Sequence, residues 1–198
     1  MKKKKLIIAT HNEGKKKEFV NVLSSLAYEI RTLKDLSHLP KIEETGLTFK
    51  ENAVLKAETI SRLTGELVLA DDSGLEVFYL GGKPGVYSAR FAGDGATDEQ
   101  NNTFLLKLME NIPYSQRRAR FVCVIALAAP GKKTQTVEGI CEGFLASSPR
   151  GSQGFGYDPL FIYGDGNKTF AEMDIKTKSR ISHRGQALRK IRDVLLSY

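Results

Sequence analysis

Short apolar runs and stretches with helical spacing take turns along this chain. The first run, Leu6 to Ala9, reads as a short strand behind the basic start MKKKK. From Lys15 to Leu26 the residues Phe19, Val22, Leu23 and Leu26 recur three and four apart, which predicts a helix with one buried face. Thr48 and Glu51 stand at capping-box spacing, so a second helix is expected to run to Thr64 with Ala53, Ala57 and Ile60 inward. Thr97 and Gln100 mark another capped helix, ending near Glu110. Ala119 to Ala128 is a long apolar strand, PGKK at 130–133 a hairpin turn, and Thr134 to Gly143 the returning partner. Pro159 to Tyr163 is read as one more strand. Ser182 to Leu196 closes the chain as a helix, with Leu188, Ile191 and Leu195 on its apolar side. LGGKPG at 80–85 is a turn, and the segment Ser147 to Gly156, rich in Gly and Ser, is a loop.

One stretch interrupts the pattern. LVLADDSGLE, residues 67–76, carries an apolar run up to two adjacent acids and then Ser-Gly. Read locally, Leu67 to Ala70 is a buried strand, Asp71-Asp72-Ser73-Gly74 a turn, and Leu75 to Phe78 the next strand. Neighbouring carboxylates repel, and burying either without a partner is costly or forces it to take up a proton. Two explanations stay open. The side chains serve the turn's own backbone, or a cation or cationic substrate sits at the strand's end.

Strands alternating with helices, together with a long hairpin, predict an α/β fold with a mixed sheet. No internal repeat, low-complexity tract or linker divides the chain, so residues 1–198 are expected to form a single domain.

Composition narrows the function. With 41% hydrophobic and 27% charged residues the chain is globular rather than disordered. No apolar run approaches the roughly 20 residues of a membrane span, and Leu6 to Ala9 is shorter than the roughly 7 apolar residues a signal peptide needs. Cys123 and Cys141 lie in apolar or strand-like runs without zinc spacing, which marks them as reduced core residues of a cytoplasmic protein. The net charge of +7 favours polyanions, either nucleic acid or a small phosphorylated ligand. The charges are scattered apart from Lys2 to Lys5, Lys15 to Lys17 and the C-terminal third, and no aromatic-interleaved RNA-binding signature is present.

Four segments carry candidate chemistry. In ATHNEGKKKEF (9–19) a strand gives way to a helix, whose first N–H groups and dipole make an anion site that Asn12 and Lys15 can also reach. The segment is not a P-loop, which would need Gly at Ala9 and Ser or Thr at Lys16. In IEETGLTFKENAVLKA (42–57), Glu43 and Glu44 precede the capped helix that carries Lys56. A second acidic pair beside Asp71-Asp72 fits Mg²⁺, which takes one or two carboxylates plus substrate phosphates. In GSQGFGYDP (151–159) glycines let backbone approach a ligand while Phe155 or Tyr157 offers a ring for stacking. In KSRISHRGQALRK (178–190), His183 and Arg184 open a helix where their charge opposes the dipole, a local cost that hints at function. Singly, each has a plain counterpart: a capped surface helix, a solvent-facing lysine, or a loop pinned by one aromatic.

Taken together, THNEGK, EETGLTFKENA, ADDSGL, LGGKPGVYSARF, GFGYDP and KSRISHRGQAL, in this order and spacing, closely resemble the inosine triphosphate pyrophosphatase family, its bacterial branch best. One departure is His11, where Gly is common in bacterial members. The resemblance implies Mg²⁺-dependent cleavage between the α- and β-phosphates of ITP, dITP and XTP, giving a nucleoside monophosphate and diphosphate. It implies that Thr10, His11, Asn12, Glu13, Gly14 and Lys15 hold phosphates, that Lys56 neutralises triphosphate charge, and that Glu43 and Asp72 lie at the metal. Asp72 is the implied proton acceptor, with Asp71 in support and Glu44 competing with Glu43. Ser73 is implied to touch substrate, and Phe155, Gly156, Tyr157, Asp158, Lys178, His183 and Arg184 to surround the nucleoside. The implied fold is an elongated mixed β-sheet with two α/β lobes around a central substrate cleft, in a homodimer. No nucleic-acid or membrane partner is expected. A nucleic-acid module would leave four acids without purpose, and a catalytically silent nucleotide sensor would not need Glu43 and Asp72.

Overall fold

The protein is described here by a computed structural model covering residues 4–36, 39–40 and 42–198. Its strands are β1 (Lys4–Ile8), β2 (Tyr28–Thr32), β3 (Leu67–Val77), β4 (Arg118–Ala128), β5 (Gln135–Leu145) and β6 (Phe161–Tyr163). Its α-helices are α1 (Glu13–Leu23), α2 (Phe49–Thr64), α3 (Asp98–Leu108), α4 (Ile175–Ile181) and α5 (His183–Leu196). The sheet order is β2-β1-β3-β4-β5-β6. It is mixed: β1 lies parallel to both β2 and β3, with Leu6 opposite Ile30 and Leu67, whereas β5 and β6 are antiparallel. The mixed α/β class expected from the alternation is the one observed.

Local chemistry explains most element ends. Asn12 caps α1 by accepting from the Lys15 N–H at 3.0 Å. Thr48 and Glu51 form the expected capping box on α2, and the helix stops at Gly65, whose φ of 69° is left-handed and suits glycine. Thr97 and Gln100 form the second box, on α3. The strand at the start is longer than the apolar run: Lys4 and Lys5 belong to β1, and they bond the Tyr198 carbonyl and Glu66. Lys2 and Lys3 lie outside the described residues.

The largest correction concerns residues 67–77. No turn occurs at Asp71-Asp72; β3 is one continuous strand of 11 residues with both acids buried inside it. A turn is not needed, because partners from other elements replace the water that the carboxylates lose. Two elements were not foreseen. β2 (YEIRT) is too short and polar to stand out, and α4 (IKTKSRI) shows little apolar face.

The chain divides into two compact units. The first comprises Met1–Asp72, Cys123–Gly139 and Arg184–Tyr198, and the second Ser73–Val122 and Ile140–His183. The first has its own core of Leu6, Ile8, Phe19, Leu23, Leu69, Ile125, Leu188 and Ile191, with Cys123 among them. The second is built on Leu75, Leu105, Met109, Phe121, Leu160, Phe161 and Phe170, with Cys141. Neither cysteine forms a disulfide, and no helix among the described residues is long and apolar enough to cross a membrane.

Candidate active site

Successive residues of a strand point to opposite faces, so Asp71 and Asp72 cannot share one environment. Asp71, 1% exposed, accepts from Lys15 Nζ at 3.0 Å and from Arg184 Nε at 3.4 Å. Lys15 comes from the first turn of α1 and Arg184 from the start of α5. Burial works against ionisation of Asp71, but the charges of Lys15, Arg184 and Lys56 outweigh it and hold the carboxyl well below its ordinary range. Arg184 is itself buried and also donates to Glu18 at 2.9 Å. Arg184, expected beside the nucleoside, places two of its donors on carboxylates. Glu18 was not foreseen, though it sits three residues from Lys15 and so on the same helical face.

Asp72 meets α2 instead. Asn52 donates to Asp72 Oδ2 at 3.0 Å, and its own oxygen accepts from the Gly46 N–H at 2.7 Å. Burial raises the pKa of Asp72; Lys56 and Lys15 oppose the rise, and the Glu44 carboxylate adds to it. Two neighbouring acids are therefore pushed in opposite directions, one fixed as an anion and the other made a better base. Lys56, one turn beyond Asn52 on α2, pairs with Glu44 at 2.6 Å. Its burial is overcome by Asp72, Asp71 and Glu44, and its pKa rises. Asn52 was also missed. In the sequence only its spacing, four residues before Lys56 on the same helical face, points to it; its full burial is seen in the structure.

The remaining phosphate candidates gather at the start of α1. Thr10 Oγ1 accepts from the Asn12 N–H at 3.2 Å, His11 and Asn12 are exposed, and Gly14 is half-buried. Glu13 is turned to Lys34, 2.6 Å away. Ser73 follows Asp72 in β3 and is half-buried. Glu43 is exposed ahead of α2.

The second unit holds the other group. Asp158, buried, accepts from the Phe155 N–H at 2.9 Å and from Lys178 Nζ at 2.5 Å. Lys178, on α4, also lies 4.7 Å from the centroid of the Phe155 ring, a cation–π contact. The two candidate stacking rings differ in burial. Tyr157 is 4% exposed and its hydroxyl donates to the Ser88 carbonyl at 2.8 Å, whereas Phe155 is half-buried. His183 is a core ring as well, stacked on Phe121 at 4.5 Å.

Among the described residues no three His, Cys, Asp or Glu side chains converge as a closed metal cage. Mg²⁺ does not require one, since it keeps waters and shares substrate oxygens. Asp72 and the carboxylates ahead of α2 are hard oxygen donors of the type it takes, and a cation is what would offset the burial that disfavours ionised Asp72.

Residues 6–194 match the Ham1 family. The chain is 52% identical over 192 residues to a protein of Bacillus licheniformis named dITP/XTP pyrophosphatase, covering 97% of this chain and 98% of that one. A Bacillus subtilis protein of the same name is 48% identical over 97% of both chains. The structure of the Staphylococcus aureus Ham1 protein superposes with a TM-score of 0.88 at 40% identity, covering 98% of this chain and 99% of that one.

Proposed function

This chain belongs to the Ham1 family, and we propose from that premise that it hydrolyses non-standard purine nucleoside triphosphates such as dITP, XTP and ITP. The products are a nucleoside monophosphate and pyrophosphate. The observation that carries the mechanism is the contrast in partners: Asp71 is held by Lys15 and Arg184, and Asp72 by Asn52.

A triphosphate brings about four negative charges, which need cations and oriented N–H groups. The start of α1, with Lys15 beside it, supplies both for the phosphates, and Lys56 adds a second ammonium. Lys15 is held by Asp71, so its ammonium is set in place before substrate arrives. Asp72 takes the proton from the attacking water. Asn52 fixes its orientation. Mg²⁺, when bound, supplies Lewis-acid stabilisation of phosphoryl charge. Asp72 and Glu43 are its proposed holders. Glu44 is engaged with Lys56, whereas Glu43 is exposed with no ion pair among the described residues. In the second unit Phe155 is proposed for the purine ring, with Asp158 and Lys178 fixing it. The same reading has the chain act as a cytoplasmic homodimer on free nucleotides rather than on nucleic acid.

The test is product analysis with ITP, dITP and XTP, set against ATP and GTP, with Mg²⁺ and with EDTA. Pyrophosphate and monophosphate should appear from the first three, roughly 100-fold or more in preference to ATP, and EDTA should stop the reaction. Orthophosphate as the product, or binding without turnover, overturns the proposal.

A further inference from the structure

Helix α3 holds the glycine that follows Phe155 by both of its backbone polar groups. The Gly156 N–H donates to Asp98 Oδ2 at 2.6 Å, and the Gly156 carbonyl accepts from Asn102 Nδ2 at 3.0 Å. Asp98 and Asn102 are four residues apart and so lie on one face of α3. We propose that they are positioning residues that lock the Gly156 backbone, and through it the Phe155 ring, in the orientation that receives the purine. This rests on the functional reading above and adds a positioning helix to it.

The geometry is restrictive on both sides of Phe155. Its own N–H is fixed by Asp158, and the next residue is fixed by α3. Gly156 has φ +60° and Gly154 φ +81°, a region that L side chains rarely adopt, and a Cβ on Gly154 would collide with Asp158 Oδ2. Tyr157 anchors the far side through Ser88. The ring between these anchors is half-buried, as is Gly156, while Tyr157 and Asp158 are buried. A loop built this way presents one aromatic face with little conformational entropy left to lose on binding.

Asn102 also costs the fold something. It is 7% exposed, and its Oδ1 is buried with no hydrogen-bond partner among the described residues. A buried acceptor left unmet is destabilising. For Asp98 the competing explanation is favourable charge at a helix start. A neutral acceptor separates the two: Asp98→Asn keeps the hydrogen bond and loses the charge.

The experiment measures KM and kcat for dITP and XTP in Asp98→Ala, Asp98→Asn and Asn102→Ala, together with hydrogen exchange of the Gly156 amide. Expected for both alanine variants is a KM raised about tenfold or more with kcat changed by less than about threefold. Gly156 exchange should quicken in Asp98→Ala, and Asp98→Asn should return toward wild type in both readouts. Unchanged KM in both alanine variants overturns the proposal. So does an Asp98→Asn variant that behaves as Asp98→Ala, since charge would then be the cause. Wild-type protein that releases no pyrophosphate from dITP or XTP overturns the functional reading and this role with it, a failure visible before any substitution is made.

Discussion

Asp71 and Asp72 differ by one position and by the face of the strand they occupy, and that difference gives them different partners. Asp71 belongs to a buried network with Lys15, Arg184 and Glu18, in which each charge compensates another. Removing one member leaves the rest buried and unbalanced, which typically costs about 3–5 kcal/mol. Arg184→Ala is therefore expected to lose about that much unfolding free energy in urea titration. A variant as stable as wild type would contradict the network. The sequence made both acids visible as candidates but not their fates. Arg184 meets Asp71 from 113 positions away, a pairing that no local pattern carries.

Elements whose ends are set by neighbouring residues were the legible ones. Both capping boxes form as spaced, and the long hairpin strands lie within two residues of their expected bounds. The continuity of β3 was not legible, because it depends on charges brought from α1, α2 and α5. Of the candidate site, the turn into α1 and the Phe155 loop are legible as backbone features. Glu18 and Asn52, which orient other side chains, are not. The α2 cap has a testable consequence, since this helix presents Asn52 and Lys56 to the acids. Its entry is tied down twice, by Thr48 with Glu51 and by the Leu47 N–H on Glu51. Thr48→Ala is expected to lower stability by about 1 kcal/mol. A denaturation midpoint equal to wild type would show that the box does not limit α2.

At the scale of the whole molecule, each unit has its own core and each core holds one cysteine, so the two thiols report on the two units separately. Burial pushes both thiols up to about 12, and the reactive species is the thiolate. Neither should react with a disulfide reagent at pH 8 in the native protein, and both should react once it is unfolded in denaturant. Rapid labelling of a native thiol would show that its unit opens. The charge of +7 also acts at this scale, favouring capture of a polyanionic ligand. The central claim is that this chain uses Asp72, and not its neighbour, as the group that activates water. The most direct measurement is kcat/KM for dITP in Asp72→Asn, which keeps the side-chain shape and removes the charge, with the unfolding free energy measured in parallel. A fall of well over tenfold, a barrier rise above about 1.4 kcal/mol, with the fold intact is the predicted result. Retention of more than about a tenth of the wild-type rate would contradict it.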